Sequence, residues 1–398
     1  MSRENFVEGV FFNYLLAICV SSHAIIASAA SYLQIGLRNK GYSHSLVGIL
    51  LAICQIAAIV FPLIIGNISD RTRTKKLLLI FCGIGTLIGY NLAYLTGNLV
   101  FVIFGLIVGS GFFWAIFPLQ DSLINGYLKG DSTKYSKIRS AGTAGFVVTS
   151  LLFAITKIPD ETNNISITSV ITVFTLFFLI TSFILPKSVE SESLNMHVYK
   201  KEKEVKDNGK WYDSTFILML IVIAFSRFTN SIVDRLLASY MVENLNMGSN
   251  FVIYIAWGAV SEFFCMRFAG KTLTNKKVQP WVWIFIGSVM LVVRMLLYAF
   301  WPTKVGFIIA QSLHGLTFGS FHVAVINFIS SHVDSKHSSK AMSYYWAGTV
   351  NFPITLGAFL GGFIIERYGY FVLFLVYLPS SVIASILCFV NRKKFICK

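Results

Sequence analysis

The chain has 398 residues, of which 55% are hydrophobic and only 13% charged, and its formal net charge is +15. That balance excludes an ordinary soluble globular protein. The basic excess contains no patch interleaved with aromatics and no nucleic-acid module, so nucleic acid is excluded as a partner. The six cysteines (Cys19, Cys54, Cys82, Cys265, Cys388, Cys397) lack metal-ligand spacing and read as small hydrophobes, so neither a disulfide framework, a metal site nor any cofactor is expected.

The apolar residues fall into twelve runs: 11–32, 47–68, 77–96, 98–122, 139–157, 166–186, 214–241, 250–269, 280–300, 304–330, 341–365 and 370–391. Each approaches the roughly 20 residues that a helix needs to cross a bilayer. The expectation is therefore an all-α membrane protein with the lipid bilayer as its solvent. With the N-terminus inside, 25 of the 33 Lys and Arg fall on inner segments and five on outer loops. This positive-inside asymmetry places both termini in the cytoplasm of a cell whose inner membrane holds the chain. The first run ends in Ala27-Ser28-Ala29, a superficial signal-peptidase match, but Glu4 and Glu8 make a poor n-region and the run reads as a retained helix.

After the second run comes Gly66-Asn-Ile-Ser-Asp70-Arg71-Thr-Arg73-Thr-Lys75-Lys76. Gly66 would let a neighbouring helix approach closely. Asp70 places a carboxylate where helix N-termini present their positive ends, and Arg71, Arg73, Lys75 and Lys76 anchor the turn inside. Asp121 closes the fourth run and Arg139 opens the fifth. The hydrophilic stretch 187–213 cannot bury enough apolar surface to fold and reads as a cytoplasmic linker between two halves, 1–186 and 214–398. Weak repetition agrees: Ala141-Gly142-Thr143 recurs as Ala347-Gly348-Thr349, and Gly66 with its basic loop recurs near Gly270 with Lys276 and Lys277.

Ionisable groups inside spans are expensive and are functional candidates by default. Arg227 and Asp234 lie seven residues apart in the seventh run, on one helix face. Glu262, Arg294 and His314 each reach the middle third of the eighth, ninth and tenth runs, so one pocket could hold all three.

The loop 66–76 resembles the signature loop of the major facilitator superfamily, and the intramembrane charges resemble its oligosaccharide:proton symporter branch, of lactose-permease type. The related phenylpropionate-permease-like family is closer still. The resemblance implies twelve transmembrane helices in two pseudo-symmetric six-helix bundles. It implies a helix-four acid and helix-five arginine, Asp121 and Arg139, at the solute, and it matches Glu262, Arg294, His314 and Asp234 to the proton-coupling set. Four positions depart from the sugar carriers. Thr317 replaces a second glutamate, Gln311 a lysine, Phe146 a stacking indole and Cys265 an asparagine. These departures weaken the case for galactosides, and Phe146, with Phe112, Phe113 and Trp114 nearby, suits an aromatic or amphipathic solute.

The function that follows as an expectation is secondary active transport of a small organic solute, an aromatic acid, sugar or nucleoside, with protons, by a monomer that is not an enzyme. Asp121, Arg139, Phe146 and Cys265 would bind solute. Glu262 would carry the proton, with Arg294, His314 and Asp234 assisting. Gly66, Asp70, Arg71 and Arg73 would gate the cytoplasmic side. A uniporter or sodium-coupled carrier keeps the same fold, and a membrane sensor would require a signalling domain that the sequence does not display.

Overall fold

Inside lipid a backbone must satisfy its own hydrogen bonds, and the apolar runs do so as helices. The computed structural model describes residues 3–72, 74–127, 132–186, 212–333, 341 and 344–396. Arg73, Cys397 and nearly all of the expected linker lie outside this set, as does the side chain of Asp70.

The spans are α1 (Phe11–Arg38), α2 (His44–Thr72), α3 (Lys75–Leu95), α4 (Leu99–Tyr127), α5 (Ser132–Thr156), α6 (Asn164–Ile184), α7 (Ser214–Arg235), α8 (Phe251–Thr274), α9 (Pro280–Phe300), α10 (Lys304–Ile329), and a 46-residue stretch, Tyr345–Val390. At about 1.5 Å per residue that last stretch is more than twice the thickness of a bilayer core. It doubles back at Gly369, where φ is 78° and ψ 177°. Only glycine reaches this conformation readily. The two arms, α11 (345–368) and α12 (370–390), lie against each other, since Tyr377 donates to the Gly357 carbonyl at 2.6 Å. Eleven apolar helices among the described residues thus supply twelve spans.

Local chemistry sets the ends. Asn163, Asp213 and Thr303 cap α6, α7 and α10 by accepting from Ile165, Phe216 and Gly306 backbone N–H groups. In the loop before α6, Thr162 donates from its backbone and its hydroxyl to Asp160 (2.9 and 2.7 Å), which holds that carboxyl below the usual carboxylate range. At the start of α3, Lys76 donates to the Phe183 and Leu185 carbonyls (2.9 and 2.6 Å), placing a cation on the negative end of α6.

The chain divides into two compact units, Met1–Gly41 with Ile53–Val205 and Tyr42–Ala52 with Lys206–Lys398. In the first, α3 and α4 touch backbone to backbone, because a Cβ on Gly105 would stand 2.6 Å from the Ala93 nitrogen. In the second, the beginning of α2 packs with the C-terminal helices. Ser45 N–H donates to Glu366 Oε2 at 2.7 Å, and a Cβ on Gly48 would sit 2.7 Å from the Ala358 carbonyl oxygen. Large apolar side chains such as Val100, Phe104, Ile155 and Ile165 point outward, while Arg227, Arg294 and Thr317 are buried. This inversion of the soluble pattern is what a lipid surround demands.

Among the described residues, a methyl group on Gly66 would meet nothing within 4 Å, and the same holds for its counterpart Gly270. Arg71 is exposed, and Lys75, expected as a surface anchor, is only 1% exposed, with its ammonium reaching toward the Ser122 carbonyl at 3.4 Å.

Candidate functional site

The second unit gathers Glu262, Arg294 and His314 as their depths suggested. The crossing of α8 and α10 makes this possible. A Cβ on Gly319 would lie 2.9 Å from Glu262 Cγ, and one on Gly315 would lie 2.6 Å from Cys265 Sγ, so only small residues let the two helices meet here. Cys265 is accordingly a half-buried packing neighbour of Gly315.

Arg294, with no exposed surface, is the hub. Its Nη1 donates to Thr317 Oγ1 (2.8 Å) and to His314 Nδ1 (3.1 Å). Its Nη2 donates to Tyr298 Oη and Gln311 Oε1, both at 2.9 Å. A guanidinium has donors and no acceptor, so Nδ1 of His314 must accept. The imidazole then carries its proton on Nε2, which lies 3.7 Å from Glu262 Oε2. Thr317 and Gln311, which replace ionisable residues of the sugar carriers, serve as neutral acceptors for the arginine. Asp234 takes a hydrogen bond from Asn230 at 3.0 Å and stands within electrostatic range of Arg227, Arg235 and Arg294.

Rings continue from this hub. His314 stacks on Phe318 (centroids 5.6 Å apart, planes 11° apart), and Phe318 on His322 (6.0 Å, 15°). His322 Nδ1 lies 2.8 Å from Tyr345 Oη, and Trp346 stands 5.5 Å from the His322 ring. Two π-helical stretches, Gly315–Ser320 in α10 and Tyr345–Asn351 at the start of α11, set this register. Such stretches widen the turn and re-aim side chains, and they recur at functional sites. Sequence periodicity gave no sign of them.

In the first unit, Arg139 has a partner that the sequence did not suggest. Its Nη1 lies 2.7 Å from His23 Nε2, and His23 Nδ1 lies 2.8 Å from the Cys19 carbonyl. The same donor logic fixes the tautomer: Nδ1–H donates to Cys19 and Nε2 accepts from Arg139. A Cβ on Gly142 would stand 2.6 Å from this imidazole, so glycine is what seats His23 against α5. Asp121 and Arg139 both lie within electrostatic range of Cys19, where Gln120 also donates to the thiol at 3.0 Å. Phe146 is half-buried, one turn beyond Gly142 on the helix that carries Arg139. Phe113 is fully buried among Tyr90, Trp114 and Phe117, whereas Phe112 is half-buried between Phe61 and the exposed Phe81. Among the described residues no His, Cys, Asp and Glu cluster has the grouping a metal ion needs.

The sequence profile of the MFS_1 like family matches residues 20–376. Over 370 residues the chain is 27% identical to the uncharacterized transporter YwbF of Bacillus subtilis (strain 168), covering 92% of this chain and 88% of that protein. Its fold is similar to the crystal structure of the nucleoside transporter NupG, with TM-score 0.77, 16% identity, and coverage of 97% of this chain and 99% of that one. It is also similar to the inward-open xylose transporter XylE from E. coli, with TM-score 0.67, 13% identity, and coverage of 96% and 95%. Those two likenesses carry the fold, twelve transmembrane helices in two six-helix bundles. The chain belongs to the MFS_1 like family and is a multi-pass membrane transporter of the major facilitator superfamily.

Proposed function

We propose that this transporter is a proton-coupled symporter of a small organic solute, working by alternating access in the cell membrane with both termini cytoplasmic. The observation that carries the reading is the line from the buried Arg294 through the half-buried His314 to the half-buried Glu262. Arg294 fixes the imidazole so that its Nε2–H faces the Glu262 carboxylate 3.7 Å away. A carboxyl held among apolar helices can take up a proton, and a guanidinium one imidazole away can release it when water returns. Asp234 adjusts the charge of the same region. Asp121, Arg139 and Phe146 orient the solute from the first unit, now with His23 as the group that positions Arg139, and Cys265 lines the second unit beside Gly315. The exposed Arg71, with Gly66, Asp70 and Arg73, serves the cytoplasmic gate.

Proteoliposomes holding the purified protein test this. Uptake driven by an imposed inward proton gradient should exceed uptake without it, should collapse with a protonophore and should not require sodium. Uptake that depends on sodium, or that ignores the gradient, overturns the proton reading in favour of a sodium-coupled carrier or a uniporter.

A further inference from the structure

The end of the second unit where α8 and α12 finish carries cations that its own carboxylates do not neutralise. Lys271, Lys276 and Lys277 stand at the α8–α9 turn, and Lys393 and Lys394 follow α12. All five are exposed, and none is in an ion pair among the described residues. Asp213 is the one acid among the described residues at this end. Its carboxylate is taken up in capping α7, where it accepts from Phe216 N–H at 2.7 Å.

The two groups of lysines are held in place on one piece of packing. Lys276 and Lys277 donate from the backbone to the Leu273 and Thr272 carbonyls, both at 3.0 Å, and Lys276 takes φ 52°, a conformation that favours glycine. Behind Lys394, the fully buried Phe395 sets its ring 6.1 Å from that of Phe328. Leu273 and Phe395 belong to one buried apolar cluster with Trp283 and Cys388. The start of α9 and the end of α12 touch, since the Cys388 thiol lies 3.5 Å from the Trp281 carbonyl and the Phe285 and Phe389 rings are 5.5 Å apart. The two basic turns therefore flank one seam, α9 against α12.

An apolar track leads away from these turns. Ile383, Ile386 and Val390 are exposed and share one face of α12, at spacing i, i+3 and i+7. Arg392 closes the track: its guanidinium carbon lies 4.3 Å from the centre of the Phe389 ring, and its Nη1 donates to the Phe389 carbonyl at 2.9 Å. Unneutralised cations at the head of an exposed aliphatic face complement an amphiphile with an anionic head. A free anion would leave the aliphatic face unused, and a soluble acidic protein could not reach it, because Ile383 and Ile386 lie inside the span.

We propose that this seam binds an anionic phospholipid, with its phosphate between the lysines of the α8–α9 turn and those after α12 and an acyl chain along Ile383, Ile386 and Val390. Basic pockets at the ends of spans take such head groups, and long lysine stems reach them from the interface. Bound there, the lipid ties the ends of α8, α9 and α12 together and stabilises the second unit, whatever solute or coupling ion the transporter uses.

The purified full chain in detergent tests this. The probes are dioleoylphosphatidylglycerol, dioleoylphosphatidylcholine with the same chains, and glycerol 3-phosphate, which has the phosphate without chains. Native mass spectrometry counts retained lipid, and melting temperature reports binding because a ligand of the native state raises it. Phosphatidylglycerol should be retained about tenfold better than phosphatidylcholine and should raise the melting temperature, whereas glycerol 3-phosphate should not. Lys277→Gln with Lys394→Gln removes one cation from each turn and should bring phosphatidylglycerol down to the level of phosphatidylcholine. Lys304→Gln with Arg367→Gln removes the same charge at the other ends of α9 and α12, where both residues are exposed, and should retain the lipid as wild type does. Should the first double variant not fold, the three probes on the wild-type protein decide alone. The proposal is overturned if the two phospholipids are retained alike, or if glycerol 3-phosphate raises the melting temperature as much as phosphatidylglycerol, which would make this a phosphate site without a lipid. Equal loss in both double variants also overturns it, since that is a response to net charge, and so does retention of no phospholipid at all.

Discussion

Arg294 Nη1 lies 3.1 Å from His314 Nδ1, and this one contact fixes where the imidazole proton can be. The arginine can only donate, so the proton is on Nε2 and faces Glu262. A lysine at position 294 would keep the charge but could not meet four acceptors held in a planar fork. Arg294→Lys should therefore lose one or two charge-assisted bonds at about 1.5–3 kcal/mol each. The buried thiols of Cys19, Cys54, Cys82 and Cys388 give the readout, since a thiol-reactive dye reaches them only on unfolding. The variant should melt several degrees lower and fail to accumulate solute. Unchanged melting would mean that the four bonds do not hold the hub together.

The His23–Arg139 contact depends on a glycine. Gly142→Ala would put a methyl 2.6 Å from the imidazole, so His23 must move and Arg139 loses the group that positions it. We expect about 1–3 kcal/mol of destabilisation from overpacking and a large fall in transport. Gly348 occupies the matching place in the repeated Ala-Gly-Thr motif, but a methyl there meets open space. Gly348→Ala should melt and transport as wild type. Equal effects at the two positions would show that the repeat has equivalent packing in both halves, against the geometry.

The spans were legible in the sequence because lipid leaves the backbone few choices, and even the α11–α12 hairpin was placed by the polar break around Arg367 and Gly369. The depths of Glu262, Arg294 and His314 were legible for the same reason, since rise per residue fixes height in a straight helix. Partners were not. His23 and Arg139 are 116 residues apart, and nothing in either run shows which faces meet. Arg227 was read only as a neighbour of Asp234 on its own helix, because the Phe318 and Phe321 rings beside it come from α10 and their stacking depends on a π-helical stretch that apolar periodicity does not reveal.

Orientation rests on the Lys and Arg asymmetry and is open to direct test. Arg71 and Thr162 are both exposed, the first at the end of α2 and the second in the loop between α5 and α6. In a background lacking Cys265 and Cys397, Arg71→Cys should react with an impermeant thiol reagent only from the cytoplasm. Thr162→Cys should react only from outside. The reverse pattern would invert the topology and remove the cytoplasmic gating role given to Asp70, Arg71 and Arg73.

The sharpest separation is between binding a solute and moving it uphill. Glu262→Gln keeps the size of the side chain and mimics a permanently protonated carboxyl, so the proton-loaded charge state of the second unit is preserved. Solute should still bind, and preloaded vesicles should still exchange it for external solute, because exchange needs only the loaded carrier to reorient. Net accumulation under an imposed proton gradient should vanish, since the return step requires a proton to leave position 262. Thr317 strengthens the test. It accepts from Arg294 at 2.8 Å and offers no second carboxylate to take over. Arg139→Ala provides the contrast: it removes the donor to His23 and should weaken binding and exchange together. Accumulation by Glu262→Gln at the wild-type level would remove Glu262 as the proton carrier and pass that role to Asp234 or Asp121, whose Asn variants would then be the ones to lose uphill transport.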